Sequence, residues 1–299
     1  MSQHLASADN TGGSLAIVSE HRSPTSGVRV EVLEHQGLSG SRSVHAAQAL
    51  HYASATGLTL KRVRLTLNNA AVVLEAGSLH YMHGAIEVTN ASGGISGALK
   101  KRMTSSLTGE GAYNPTYSGT GTIYLEPAFG HFMVVHLNNE EFIVDRGLFY
   151  ACDKGVELSA AMQKSISAAL AGGEGLFQTR LSGTGLVVLA VPVDPAEIER
   201  VRLEGSTLQV DGNFALARKG DITFTVERSS KSIMGSVRSG EGLLQTFRGT
   251  GEVWLAPTQA VYRRLDSLFG LSGVTGAQNS SGSNASSSPG LLGRLLGLG

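Results

Sequence analysis

A lysine and a carboxylate recur at fixed spacing in three places along the chain. Each lysine stands nine residues before a Gly-Glu-Gly motif, and the pairs are Lys100 with Glu110, Lys164 with Glu174 and Lys231 with Glu241. Three ammonium groups brought together by the fold could hold a phosphate or a carboxylate. Equally, each lysine could pair with its own glutamate at the surface and contribute little to stability. Both interpretations stay open, and we favour surface pairing.

Histidines that fall in the first unit of the chain raise the question of a metal site. They are His45, His51, His80 and His83. On a β-strand, His80 and His83 point to opposite faces, so they cannot chelate one ion without a bulge. We interpret the four as polar strand or loop residues, with a cupin-like metal-binding protein as an alternative. The single cysteine, Cys152, is interpreted as a small buried residue rather than a nucleophile.

The sequence contains none of the common catalytic motifs. GxSxG, GxxxxGK, HExxH and CxxC are all missing, and the Gly-Thr-Gly motifs precede apolar runs instead of opening a helix, as a dinucleotide fingerprint requires. We therefore expect no enzymatic activity, no catalytic residues, no cofactor and no bound metal. The one basic cluster, 100–102, is interpreted as a solvated loop. Because 24 Lys+Arg balance 24 Asp+Glu, nucleic acid is an unfavourable partner.

An internal triplication organises the chain. The Gly-Glu-Gly motifs begin at Gly109, Gly173 and Gly240, which lie 64 and 67 residues apart, and each is followed by Gly-Thr-Gly and an apolar run. A repeat of this length is typical of one supersecondary unit used several times. We predict three compact units related by a pseudo-threefold axis.

Each unit is predicted to consist of β-strands. Residues 221–227 alternate polar and apolar side chains with period two, as a half-buried strand does. Glycine supplies the positive φ of tight hairpin turns, so the Gly-Thr-Gly motifs are predicted to be turns. The structural turn glycines are Gly119, Gly121, Gly183, Gly185, Gly249 and Gly251. Many short strands with glycine turns predict an all-β fold of three tandem β-sandwich or short double-stranded β-helix repeats, with one C-terminal helix at 258–269.

Composition separates these units from both ends of the chain. The predicted boundaries are a disordered segment 1–27, repeats at 28–133, 134–200 and 201–270, a Ser/Gly linker 271–290 and an apolar peptide 291–299. We interpret the last peptide as a tethered docking segment for a partner or a membrane surface, or else as a terminus that is dispensable or packs back on the β-core. No apolar run is long enough to span a membrane, and residues 1–26 lack the regions of a secretory signal. We expect a cytoplasmic protein, or a mitochondrial one if the source is a eukaryote.

The third unit carries the clearest family resemblance. Residues Gly240–Phe247 and Gly249–Pro257 resemble the signature end of the altered inheritance of mitochondria protein 24 family, and residues 142–177 are similar to its middle repeat. The likeness covers residues 60–258 and departs from the family pattern at Tyr113–Thr116. It implies a fold similar to the tryptophan RNA-binding attenuation protein. It also implies a role in scaffolding rather than catalysis.

Three functions are therefore compared. The first is a non-enzymatic scaffolding or assembly protein that binds a protein partner or itself. The second is a binding module for a small anionic ligand or RNA, suggested by the repeated lysines. The third is the cupin-like metal-binding protein. Zero net charge and few aromatic side chains count against RNA, and the first function is the one we predict.

Overall fold

Long antiparallel strands make up most of the residues that the structure describes. The structure is a computed structural model and describes residues 15–38, 40, 42–89, 114–162, 177–211, 213–228 and 243–269. Its strands are β1 (Leu15–Arg22), β2 (Val28–His35), β3 (Lys61–Leu74), β4 (Leu79–Thr89), β5 (Thr116–Leu125), β6 (His131–Val144), β7 (Phe149–Asp153), β8 (Val156–Met162), β9 (Phe177–Val191), β10 (Glu199–Asp211), β11 (Ala215–Arg228) and β12 (Leu243–Leu255). Its α-helices are α1 (Val44–Ala55) and α2 (Gln259–Phe269).

Alternating β-branched and aliphatic side chains explain why these segments form strands. In β2, Val28, Val30 and Val32 are all buried, and residues two apart in a strand lie on the same face. In β3, Val63 and Leu65 repeat the pattern. The apolar face of each strand thus packs into a core, and the all-β class predicted from the sequence is confirmed.

Three consecutive segments share one strand order. Segment 1 contains β3, β4 and β5, segment 2 contains β6 to β9, and segment 3 contains β10, β11 and β12. The last strand of each segment lies between the other strands: β5 pairs with β3 and β4, β9 with β6, β7 and β8, and β12 with β10 and β11. The arrangement of the three segments about a pseudo-threefold axis stays a prediction.

The Gly-Thr-Gly motifs lie inside the last strand of each segment, and their prediction as hairpin turns was wrong. Gly119, Gly183 and Gly249 have φ of 137°, 122° and 132°, which side-chain-bearing residues rarely adopt. A Cβ on these glycines would lie 2.0, 2.4 and 2.1 Å from a backbone carbonyl oxygen in the neighbouring stretch of the same chain. The last glycine of each motif is crowded as well: a Cβ on Gly121 or Gly251 would meet a carbonyl oxygen, and one on Gly185 would meet the side chain of Asp153. The motif therefore permits close strand approach instead of chain reversal.

The threonine of each motif holds a bulge in the neighbouring strand. Its Oγ1 accepts a hydrogen bond from the backbone N–H of a residue with positive φ, at the point where the register of the strand pair shifts. The three pairs are Asn69 with Thr120, Asn139 with Thr184 and Gly205 with Thr250, with N···O distances of 3.0, 3.0 and 3.1 Å. This repeated contact aligns the three segments residue by residue.

The core is divided among the segments. One buried cluster joins segment 1 to β2 and to part of segment 2, and a second joins segment 2 to side chains of segment 3 such as Ala217 and Trp254. The third cluster lies entirely within segment 3 and includes Leu203, Val210 and Phe247. The second cluster also includes Val73 of segment 1, so all three segments contribute to it.

Two parts of the N-terminal region differ from the sequence prediction. Residues 15–22 were predicted to be disordered but form β1, which pairs with β2 along its whole length; the pairing stabilises a strand in which no side chain is buried. The sequence also did not predict α1. Ser43 accepts a hydrogen bond from the N–H of Ala46 as its N-cap, and Ala53 is the buried residue of this helix. A helix with so little buried surface has no apolar periodicity to detect.

Candidate functional site

Short strand ladders join segment 1 to segment 2 and segment 2 to segment 3. At the first junction β3 pairs with β7, and the partners are Val72 with Asp153, Val73 with Cys152 and Leu74 with Ala151. At the second, β6 pairs with β11, and the partners are Phe142 with Lys219, Ile143 with Arg218 and Val144 with Ala217. The N–H of the following acidic residue then donates to the opposite strand, Glu75 to Tyr150 O at 2.9 Å and Asp145 to Leu216 O at 2.7 Å.

The same register predicts a third junction that the described strands do not form. In the two closed junctions, β7 and β11 receive the edge of the preceding segment, and β4 is the equivalent strand of segment 1. Each of these three strands has a bulge one residue before the first residue that pairs across a junction, so Tyr81 corresponds to Ala151 and Ala217. On the other side, Leu208–Val210 of β10 correspond to Val72–Leu74 and Phe142–Val144. Among the described strands, however, β4 pairs only with β5 and β10 only with β12. Both strands therefore have one open edge.

Side-chain exposure at the open edge of β4 differs from that at the closed junctions. At the closed junctions, Ala151 and Cys152 are 1% and 2% exposed, and Arg218 is 4% exposed. At the corresponding positions of β4, Tyr81 and Met82 are each 40% exposed. Large apolar side chains thus stand in solvent where the other two segments have buried residues, and such anchors are typical of interfaces. We call the open edges of β4 and β10 the candidate functional site.

Tyr81 is held in place on the open edge of β4. Its ring stacks on the ring of Tyr124 with 4.5 Å between centroids, and the guanidinium of Arg62 lies 4.7 Å from the Tyr124 ring and 5.9 Å from the Tyr81 ring. Cation–π contact of this kind stabilises the aromatic pair. The exposed face of Tyr81 is therefore preorganised, which lowers the entropic cost of binding.

A charged cleft of about 480 Å³ lies beside the junction between segments 2 and 3. Its acidic and basic side chains stand close together: Lys219 Nζ is 3.4 Å from Glu140 Oε2, and Arg202 Nε is 3.9 Å from Glu252 Oε2. Because Lys219 and Arg202 each face a carboxylate already, the cleft offers no uncompensated positive charge for an anionic ligand.

The equivalent space between segments 1 and 2 is covered by the β1–β2 hairpin. His21 Nδ1 lies 3.1 Å from Nε2 of His136, which corresponds to Arg202 in segment 3. Ser26 Oγ donates to Asp153 Oδ1 at 3.0 Å, and Asp153 corresponds to Lys219. The hairpin thus occupies the first of two similar grooves, and the second is open.

The histidine contact predicts a loss of stability in acid. Burial and the neighbouring His136 lower the pKa of His21, and burial also lowers the pKa values of His35 and His131. The unfolded chain then binds more protons than the folded one at pH values below about 6.5, so the free energy of unfolding decreases as the pH falls through this range. Thermal unfolding is measured at pH 7.5 and 5.5. The melting temperature of His21→Gln should decrease less between these two pH values than that of the wild type.

The matched control for this prediction is His45→Gln. His45 is exposed on α1, so its replacement should leave the acid-induced decrease unchanged. An equal decrease in all three proteins would contradict the role of the His21–His136 contact.

The residues that the sequence proposed for chemistry form no common site in the part of the chain that the structure describes. The six Lys and Glu candidates, Lys100, Lys164, Lys231, Glu110, Glu174 and Glu241, lie outside the described residues, as does the basic cluster 100–102. His45 and His51 are exposed on α1, while His80 and His83 are exposed on β4. Cys152 is buried, and burial raises the pKa of its thiol. The described residues contain no group of three or more His, Cys, Asp or Glu side chains placed to hold a metal.

The C-terminal end of the described chain contains the predicted helix. It forms α2 at Gln259–Phe269, where Tyr262 donates to Glu197 at 2.9 Å and Val261 is exposed. No described helix is both long and apolar enough to cross a membrane. The linker 271–290 and the peptide 291–299 lie outside the described residues, and the cytoplasmic location stays a prediction.

Sequence reasoning did not identify the open edges. Tyr81 and Met82 are ordinary strand residues by type, and their exposure becomes informative only when the register aligns them with Ala151 and Cys152. The available signal was the size of the side chain: two segments place alanine at the pairing position and segment 1 places tyrosine.

Comparison with known proteins agrees with this fold. The family model described as mitochondrial biogenesis AIM24 matches residues 54–258. An uncharacterized protein of Streptococcus pyogenes serotype M6 is 25% identical over 196 residues, which are 63% of this chain and 77% of the relative. The crystal structure of a protein from Streptococcus pyogenes is similar in fold, with a TM-score of 0.51 and 22% identity, over 71% of this chain and 94% of that one.

Proposed function

Because this chain belongs to the mitochondrial biogenesis AIM24 family, we propose that it is a non-enzymatic assembly protein that binds extended segments of protein chains at its two open sheet edges. The observation that carries the proposal is the third, unformed junction between β10 and β4. An open edge presents a row of unpaired backbone donors and acceptors, and a peptide that adds a strand to it gains main-chain hydrogen bonds.

The composition of β4 supports binding at its edge. Edge strands that must stay unpaired are usually short or contain lysine or proline. β4 has 11 residues, Leu79–Thr89, and neither lysine nor proline. Tyr81 and Met82 add exposed apolar surface, which gives the edge side-chain affinity in addition to backbone hydrogen bonds.

The remaining chemistry of the described residues favours binding over catalysis. The thiol of Cys152 is buried and has a raised pKa, so it is a poor nucleophile. The cations of the charged cleft face carboxylates, which reduces their value for polarising a substrate. The candidate site has backbone groups, aromatic rings and a thioether, and these are groups used in protein recognition.

Site-specific photo-crosslinking tests this function. The full chain, with a photo-reactive amino acid at Met82 of β4, is irradiated in a lysate of the source organism. A matched control has the same group at Tyr52, which is exposed on α1 far from either edge along the sequence. We expect defined protein adducts at Met82 at about tenfold or more the yield at Tyr52, since strand addition places a partner within contact of the edge.

A proline variant then separates strand addition from random collision. Proline at position 82 removes the outward N–H of β4, so Met82→Pro should abolish the edge adducts formed from a photo-reactive group at His83, while Met82→Ala should keep them. Equal adduct yields at Met82 and Tyr52, or adducts that survive Met82→Pro, would overturn the proposed function.

A further inference from the structure

We infer that the partner at these edges is a second copy of the chain, whose β10 adds to β4 of the first copy in the register of the two internal junctions. This inference rests on the proposed function, because it names the occupant of the same site. Carried over to the open edges, the register pairs Leu208 with His83, Gln209 with Met82 and Val210 with Tyr81, and it places the N–H of Asp211 opposite the carbonyl of His80.

The internal junctions are the templates for this contact. Both use three paired residues from the end of one strand, followed by an acidic residue that donates its N–H. β10 ends in the same way, with Leu208–Val210 followed by Asp211. β4 has the same bulge before its receiving residues as β7 and β11 have. One chain therefore contains both halves of a junction that its described strands do not close.

The side chains at the two edges are complementary. Tyr81 and Met82 present an apolar surface on β4, and Leu208 is half-buried beside the cluster of segment 3. Asp211 is exposed at the end of β10 and would stand opposite the exposed His80. At the position of the buried Val73 and Ile143, β10 has the exposed Gln209, a polar residue that keeps the unpaired edge soluble and the contact reversible.

The two edges are different surfaces, so the contact between copies is head to tail. Each copy offers one β4 edge and one β10 edge, and a heterologous contact of this kind closes into a ring or continues as a filament. Among the described strands, β4 and β10 do not pair with each other, which leaves both edges of one copy open to its neighbours.

Crosslinking between two single-cysteine variants tests the register. Met82→Cys and Gln209→Cys proteins are mixed and treated with a short bismaleimide, which reaches across one antiparallel pair. The control mixture contains Met82→Cys and Glu204→Cys; Glu204 is exposed on β10, five residues away and hence about 16 Å along the strand. The native Cys152 is buried, so the wild-type protein measures its background. We expect covalent dimer in the first mixture at about tenfold the yield of the second.

A pair of edge variants tests the same contact without a crosslinker. By the alternation of the ladder, the N–H of Gln209 points outward from β10, as those of Val73 and Ile143 do. Gln209→Pro removes this donor and should give a monomer by light scattering at concentrations where wild type and Gln209→Ala associate. Circular dichroism checks that all three are folded.

The results of these experiments distinguish failure of the pairing between copies from failure of the proposed function. A monomeric wild-type chain, or equal crosslinking in both mixtures, overturns the pairing of copies. A Met82→Cys/Gln209→Cys double variant that crosslinks only within one molecule also overturns it, because the chain then closes its own third junction. Photo-crosslinks from Met82 to other proteins in the lysate would leave the proposed function standing in either case, so its failure is distinguished from that of this inference.

Discussion

Replacing Gly249 with alanine is expected to destabilise the protein by about 3 kcal/mol or more. Gly249 has φ of 132°, and a Cβ built on it would lie 2.1 Å from the carbonyl oxygen of Asp221. The contact is with backbone, so β11 and β12 would have to separate at the centre of segment 3. Strained φ and overpacking both contribute to the loss.

Chemical denaturation of Gly249→Ala and of a matched control measures this effect. Gly130 lies between β5 and β6, and a Cβ there would meet nothing within 4 Å; Gly130→Ala should therefore change the free energy of unfolding by less than about 1 kcal/mol. The equivalent positions Gly119 and Gly183 should behave as Gly249 does. A Gly249→Ala protein as stable as Gly130→Ala would show that the strands do not approach this closely.

The second large effect is expected at Glu31, whose carboxylate is 1% exposed. It accepts two hydrogen bonds from Arg64 of β3, from Nε at 2.7 Å and from a terminal nitrogen at 2.8 Å, and Arg29 Nε lies 3.6 Å away. Glu31→Ala removes the buried carboxylate that faces two guanidinium groups. We expect a loss of about 3–5 kcal/mol, the usual effect of breaking a buried ion pair.

Glu34→Ala, on the same strand, is the control. Glu34 is more exposed than Glu31, and its carboxylate lies 3.9 Å from Lys61 Nζ, so the loss should be about 1 kcal/mol or less. Equilibrium unfolding in urea compares the two variants. Similar losses at both positions would mean that the Glu31–Arg64 pair does not anchor β2 to β3.

Much of the fold was accessible from residue types and spacing. The strand at 221–227, the helix near residue 260 and the all-β class follow from periodicity and repeated glycine motifs, which are local properties. The function of the Gly-Thr-Gly motif was not accessible, because a hairpin turn and a close strand approach both require glycine. Only the pairing of Gly249 in β12 with Ile222 in the adjacent strand β11 distinguishes the two interpretations.

The candidate site depends on information that no single segment of sequence contains. Tyr81 is unusual because its counterparts Ala151 and Ala217 are buried at junctions, and those junctions are known only from the pairing of distant strands. The residues that the sequence favoured, the repeated lysines and glutamates, were noticed because of their regular spacing. Regular spacing identifies equivalent positions in a repeat, whereas an interaction surface is found where one copy differs from the others.

Hydrogen exchange of individual backbone amides tests the central claim most directly. The amides of Met82 and Gln209 are measured in the purified full chain at about 1 µM and about 100 µM, with the amides of Ile143 and Arg218 at a closed junction as internal references. If the open edges of β4 and β10 are binding edges that copies of the chain share, protection of Met82 and Gln209 should rise about tenfold or more with concentration while the references stay constant. Protection of Met82 and Gln209 that is the same at both concentrations would contradict the account.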